Sequence, residues 1–391
     1  MNNIVILGAG YAGMTTAMSL AARTRKRQDV HITLVNPQRR FTERLRLHQA
    51  ASGQELADLQ IPDLVAGTGI EFVEGWVTAV DATAQTVRID DQRSLPYDTL
   101  VYALGSVADT DAVPGVDNHA HTVYSAAGAA SLAATLGRLD AGAAVVVGGS
   151  GLTGVEAAAE IAEQHPELTV LMLGRAEPGA VMGARAQAYL QAALERLGVR
   201  VRAGVEIAKV LPGAVELVGG EHISADAVLW TTGVRISPLA AAAGLTVDDR
   251  GRIVTDSRLR SVSHPRVYAV GDAAAIRQNY GVIHGTCQSG MPTGAYTAAA
   301  IAGELKGRQA EPFRFGYMHQ PVSLGRHDGV VQFTRPDDTP GRFLLTGRSA
   351  VVYKETVSSA PWGVFGRIRK YGAGTAALWR KGGRSTNITH S

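Results

Sequence analysis

Ten residues near the N-terminus, Ile4-Val5-Ile6-Leu7-Gly8-Ala9-Gly10-Tyr11-Ala12-Gly13, limit what this chain can fold into more than any other stretch. Four apolar residues in a row read as a strand buried on both faces. Three glycines spaced G-x-G-x-x-G follow, then a helical run from Met14 to Arg23. Each glycine has a task. Gly8 makes the tight strand-to-helix turn, Gly10 lets a pyrophosphate approach the backbone, and Gly13 lets the helix lie close to the strand. The anion then rests on free N–H groups at the helix start. The pattern recurs at Val145-Val146-Val147-Gly148-Gly149-Ser150-Gly151-Leu152-Thr153-Gly154, again between a strand and a helical run reaching Ala162. Two copies imply two dinucleotide sites. The plainer alternative for either is a turn in an ordinary parallel sheet.

A chain of 391 residues has room for two or three domains with cores of their own. With 46% apolar and 19% charged residues it has the composition of a globular protein. A net charge of +3 gives no indication of a nucleic-acid partner. No apolar run reaches the roughly 18 residues needed to cross a bilayer. The first strand begins by residue 4, which leaves no space for a leader peptide, so the expected location is the cytoplasm. Cys287 is the single cysteine. It excludes an internal disulfide, a cysteine-rich zinc site and an iron–sulfur cluster within one chain. Redox chemistry here has to come from a bound organic cofactor.

A second strand, His31 to Val35, leads to Asn36, where a ribose-binding acid usually stands. Asn36 is read either as a weaker ribose ligand or as a strand-ending residue before Pro37. Residues 39–46 carry four arginines. Arg44 or Arg40 is a candidate pyrophosphate or flavin contact, against the default of a solvated helix face. Trp76–Val80 and Thr86–Ile89 read as a small antiparallel sheet. Tyr97 to Ser106 gives another buried strand ending at Gly105, and Pro114-Gly115 marks a linker. In the second unit the strand Thr169–Leu173 is followed by Gly174-Arg175 where the ribose-binding acid would stand. A glycine followed by arginine removes repulsion toward a 2′-phosphate and supplies a cation, which favours NADPH over NADH. Solvent exposure is the bland reading of Arg175. Ala227 to Gly233 closes the second unit, and Arg266 to Ala273 ends in Gly271-Asp272 before an Ala-rich helical run, Gly290 to Leu305. Asp272 is read as a ligand of ribityl hydroxyls or as an N-cap. Beyond Glu311 the chain turns aromatic, β-prone and basic, with strands expected in the Val350s. In the tail, Trp362, Phe365, Ile368, Leu378 and Trp379 mix with Arg367, Arg369, Lys370, Arg380 and Lys381. That mixture suits a helix on an anionic membrane surface, a helix packed on the body, or a dimer contact.

Taken together, these motifs resemble the two-dinucleotide-fold flavoproteins of the glutathione-reductase superfamily, over residues 1 to about 310. Thr153-Gly154-Val155-Glu156 with Glu160, the phrase Leu47-His48-Gln49-Ala50-Ala51-Ser52-Gly53 and the missing cysteine pair are most similar to type II NADH dehydrogenases. The resemblance implies an α/β fold with two Rossmann-like domains and a small α+β C-terminal domain. The FAD domain would comprise residues 1–110 and 261–315, the NAD(P) domain 111–260, and the C-terminal domain 316–391. FAD would be held by Gly8, Gly10, Ala12, Gly13, Asn36, Arg44, Val77, Ala103, Gly105, Gly271 and Asp272. NADPH or NADH would be held by Gly149, Gly151, Gly154, Arg175 and Gly233. Glu156 would position the nicotinamide and Gln288 would contact the flavin edge or the acceptor. The implied activity is hydride transfer from NAD(P)H to FAD, then electron transfer to a quinone or quinone-like small molecule. Alternatives are a soluble tailoring oxidoreductase of a biosynthetic pathway and ferredoxin-reductase-like electron transfer. Here the later glutamines of the family's flavin-facing helix are replaced by Pro292 and Thr293. Peripheral contact with the inner face of a membrane through the tail, and a homodimer, complete the expectations.

Overall fold

The computed structural model describes residues 1–372. Its first lobe is built on a five-stranded parallel sheet ordered Val267–Ala269, Thr99–Tyr102, Asn2–Leu7, Val30–Asn36, Ile70–Glu74. Ile4, Val5, Ile6 and Leu7 are at most 2% exposed. Helices and loops cover both faces of this sheet, which is why the strand is apolar throughout rather than alternating. Asn2–Leu7 lies in the middle, with Ile4 beside Ile32 on one side and Leu7 beside Tyr102 on the other. The chain leaves this strand where the winding of the sheet reverses. That point is a crevice at the carboxyl ends of parallel strands, where such folds bind ligands.

The second lobe repeats the plan, with parallel strands ordered Arg200–Ala203, Thr169–Gly174, Ala144–Gly148, Ala227–Trp230, His121–Thr122. Again the strand before the glycine turn is central. The architecture is α/β with two Rossmann-like units. Val77–Asp81, Thr86–Ile89 and Arg93–Pro96 form the small antiparallel sheet appended to the first lobe.

The helices after the two glycine turns, Tyr11–Thr24 and Leu152–Gln164, both lack a side-chain N-cap and an acidic residue in the first turn. Their first N–H groups are therefore left for an external anion. A longer helix, Cys287–Glu304, lies along Tyr11–Thr24. Small residues permit the approach: a Cβ on Gly294 would come 2.3 Å from the Ala12 carbonyl oxygen. At its start, Thr286 and Ser289 form a reciprocal capping box.

After residue 315 the chain forms a three-stranded antiparallel sheet, His319–Ser323, Gly329–Thr334 and Pro340–Thr346, then a 25-residue helix, Gly347–Tyr371. The strands expected in the Val350s are absent, because that segment is helix. Ala350, Lys354, Ser358, Pro361, Phe365 and Ile368 are its buried residues. Their spacing of three and four residues defines one helical stripe, and burial of that stripe outweighs the β preference of Val351 and Val352. Phe365 and Trp362 pack on Phe41 of the first lobe, with ring centroids 5.7 and 5.6 Å away. This part of the basic, aromatic tail thus lies on the body. Leu378, Trp379, Arg380 and Lys381 fall outside the described residues. Among the described residues no helix is long and apolar enough to cross a membrane.

Candidate active site

The six motif glycines divide into two kinds, and the division is the same in both turns. Gly8 has φ +91°, and a Cβ on it would sit 2.6 Å from the Ala103 carbonyl oxygen. Gly149 has φ +121°, and a Cβ there would sit 2.5 Å from Thr231 Oγ1. A Cβ on Gly13 would meet the Gly8 carbonyl oxygen at 1.8 Å, and one on Gly154 would meet that of Gly149 at 2.0 Å. These four glycines are required by the turn and by the packing of helix on strand. Gly10 and Gly151 differ, since a Cβ on either would find nothing within 4 Å. The fold does not need glycine at these two positions, whereas a phosphate lying against the backbone does.

Asn36 holds the first turn in shape. Its Oδ1 accepts from the Ala9 N–H at 2.9 Å and its Nδ2 donates to the Gln38 carbonyl at 2.7 Å. In the second turn Ser150 Oγ donates to the Ala176 carbonyl at 2.6 Å.

The two lobes enclose a cleft of about 890 Å³. It brings together Gly10, Ala12, Arg44, Ala103, Gly105, Gly271 and Asp272 of the first lobe and Gly233 of the second. Ser106 Oγ donates to Asp272 Oδ2 at 2.7 Å, and the Arg44 guanidinium lies 3.8 Å from the same oxygen. Arg44 also stacks 5.3 Å from the centre of the Tyr124 ring. Gly271 N–H donates to Thr293 Oγ1 at 3.1 Å, which ties the Gly-Asp turn to the long helix. The cleft therefore offers an uncapped helix start, a guanidinium and a hydrogen-bonded carboxylate along one path. An anionic pyrophosphate followed by a polyhydroxyl chain matches that order of groups.

Val77 stands in the small antiparallel sheet, outside the cleft lining. On the second lobe Thr153 reaches the cleft, but Glu156, one helical turn on, does not. Its Oε1 accepts from Lys354 Nζ at 2.8 Å and from the Ser323 N–H at 3.0 Å, and His48 Nδ1 lies 3.9 Å from Oε2. Burial opposes its charge, but the Lys354 ammonium and the two hydrogen bonds outweigh burial and hold the carboxyl below its ordinary range. Burial dominates at His48 and pulls it down to about 4, so the ring is neutral. Glu160, fully buried on the same helical face, accepts a hydrogen bond from Gln54, and burial pushes it up to about 7. Gln288 spans to the C-terminal sheet: Nε2 donates to the His319 carbonyl at 3.0 Å and Oε1 accepts from the Met318 N–H at 2.6 Å. Cys287 lines the cleft, where burial pushes its thiol up to about 11. A neutral thiol with no second cysteine is not a dithiol relay.

Sequence reasoning missed Ser106, Tyr124 and Lys354. Ser106 was within reach, as the polar residue after the strand-ending Gly105. Tyr124 sits in a connection with no motif. Lys354 lies in the segment read as strand, and reading it as helix would have put it on the stripe of Ala350 and Ser358.

The sequence pattern of the family described as pyridine nucleotide-disulphide oxidoreductase matches residues 2–301. An NADH dehydrogenase-like protein of Mycobacterium tuberculosis is 32% identical over 355 residues, 84% of this chain and 87% of the relative. A type II NADH:quinone oxidoreductase of Staphylococcus aureus is 28% identical over 388 residues, 91% of this chain and 94% of the relative. Among solved structures, the sulfide:quinone oxidoreductase of Aquifex aeolicus superposes with a TM-score of 0.80 at 17% identity, over 95% of this chain and 92% of that one. NDH2 of Plasmodium falciparum in complex with NADH superposes with a TM-score of 0.78 at 15% identity, over 95% and 99%. The chain belongs to the pyridine nucleotide-disulphide oxidoreductase family and is an oxidoreductase whose cofactors are FAD and a pyridine nucleotide.

Proposed function

We propose that this enzyme takes a hydride from NADH or NADPH onto FAD in the inter-lobe cleft and delivers the electrons to a quinone or quinone-like small acceptor. The observation that carries the reading is the pair of glycine turns with free space at Gly10 and Gly151, set in two lobes that share one cleft. The similarity to type II NADH:quinone oxidoreductases supports the choice of acceptor.

The first turn and Arg44 would hold the pyrophosphate of FAD, and Asp272, oriented by Ser106, would hold its ribityl hydroxyls. The flavin supplies the hydride acceptance and onward electron transfer that no side chain here can perform. Thr153 and Gly233 form the wall on the nicotinamide side. Glu156 acts from behind that wall. Its bonds to Lys354 and Ser323 fix the helix Leu152–Gln164 against the C-terminal sheet and so fix the distance between the lobes. Gln288 does the same for the helix Cys287–Glu304.

We assign contact with a membrane surface to the exposed side of the helix Gly347–Tyr371, which carries Val352 toward its start and Arg367, Lys370 and Tyr371 at its end. Cosedimentation with anionic vesicles tests it, and a sedimentation profile of the protein alone tests the homodimer that the same face would otherwise serve.

The direct test is spectroscopic. The purified protein should be yellow, bleach anaerobically with NADH or NADPH, and regain colour with menadione or ubiquinone-1. A flavin that neither nucleotide bleaches removes the donor assignment. A reduced flavin that quinones leave bleached removes the acceptor.

A further inference from the structure

The adenosine end of the second nucleotide site lies outside the cleft and has an arrangement of its own. In this fold the residue closing the second strand of the unit supplies a carboxylate to the ribose 2′-hydroxyl. Here that residue is Gly174, and the place of a side chain is already filled. A Cβ on Gly174 would lie 2.3 Å from Ser150 Oγ, and Ser150 is fixed in turn by its bond to the Ala176 carbonyl. No acid can stand at 174 without displacing the glycine turn itself. The next residue, Arg175, is exposed, and its guanidinium meets Glu206 Oε1 at 2.8 Å. Glu206 follows the neighbouring strand, Arg200–Ala203, in a loop whose Val205 N–H donates to the Gly174 carbonyl at 3.1 Å. One cation and one carboxylate therefore face each other beside the position of the ribose.

We propose that Glu206 is the specificity-determining residue of this site: it holds Arg175 when NADH is bound and yields it to the 2′-phosphate when NADPH is bound, so the enzyme uses both. This role of Glu206 rests on the nicotinamide site proposed above and extends it to the donor's 2′ position. A phosphate dianion is a stronger partner for a guanidinium than an exposed carboxylate is, because it carries more charge and accepts in a fork. An exposed Arg–Glu pair is weak enough to be exchanged. With NADH the pair stays closed. Glu206 also places a negative charge near any 2′-phosphate, which restrains NADPH affinity relative to a site carrying Arg175 alone.

The flavin-loaded enzyme and its variants are titrated with 2′,5′-ADP and 5′-AMP by calorimetry, and steady-state constants are measured with NADPH and NADH. Arg175→Ala should weaken 2′,5′-ADP and raise the NADPH KM by about tenfold, the scale of one charge-assisted contact, while 5′-AMP and the NADH KM change less than about twofold. Arg175→Lys should restore part of that loss, as a point charge without the fork. Glu206→Gln should tighten 2′,5′-ADP about threefold to tenfold and lower the NADPH KM in step. Equal effects of Arg175→Ala on the two mononucleotides, or a Glu206→Gln enzyme with unaltered 2′,5′-ADP affinity, would overturn the proposal. Bleaching by NADH in those same samples shows that the donor site itself stands. Failure of both dinucleotides to bleach the flavin strikes the underlying reading instead.

Discussion

At the scale of single residues, the contrast between the two kinds of glycine gives a sharp prediction. Gly13→Ala puts a methyl group 1.8 Å from a backbone oxygen, and relief requires the helix to move off the strand, a cost of about 1–3 kcal/mol. Its melting temperature should fall with or without FAD. Gly10→Ala should leave the melting temperature of the flavin-free protein unchanged and reduce FAD retention on gel filtration. Loss of stability in both variants would remove the phosphate role of Gly10. Glu160 gives a second prediction, for pH. Its pKa rises from 4.5 unfolded to about 7 folded, so between these values the folded state binds more protons and stability falls as pH rises. The shift corresponds to roughly 3 kcal/mol lost by pH 8. Glu160→Gln keeps an acceptor for Gln54 and removes this loss. In urea titrations the variant should therefore gain on the wild type at pH 8 relative to pH 5, and a constant gap would contradict the assignment. The glycines and Asp272 were legible in the sequence because their roles belong to the backbone turn that the spacing specifies. Ser106, Tyr124 and Lys354 act through contacts between distant segments, and no local spacing encodes those.

At the scale of elements, the helix Gly347–Tyr371 shows where reading by propensity fails. Val351 and Val352 suggested strand, while Ala350, Lys354, Ser358, Phe365 and Ile368 follow a helical period over a longer span. Phe365 is wholly buried between Phe41 and Trp362, whereas Val352 is 67% exposed. Phe365→Ala should cost about 3–5 kcal/mol and Val352→Ala less than about 0.5, as read by chemical denaturation. Similar losses in the two variants would mean that the buried stripe is misplaced. The tether between Lys354 and Glu156 belongs to this scale as well. Lys354→Met leaves a carboxylate buried without its cation and should destabilise by about 3–5 kcal/mol. A double variant with Glu156→Gln should recover part of that loss.

At the scale of the molecule, both parallel sheets could be anticipated because each is announced by its own glycine turn. Which strands border which was not written locally, since the first sheet takes an edge strand, Val267–Ala269, from beyond the whole second lobe. In the proposed site, the surface for FAD exists only when this strand is in place, because Gly271 and Asp272 come just after it and line the cleft. FAD at a hundredfold excess over its Kd should stabilise the protein by about 2.7 kcal/mol, and a chain ending before residue 267 should stay colourless when FAD is added. The same arrangement imposes an order on synthesis. A ribosome adding about 5–20 residues each second needs some ten to thirty seconds to travel from Tyr102 to Val267. During that interval the second lobe can emerge and fold while the first waits on the nascent chain with an open sheet edge. The donor lobe can thus be complete first, and the surface proposed for FAD is finished only after the later strand has left the exit tunnel.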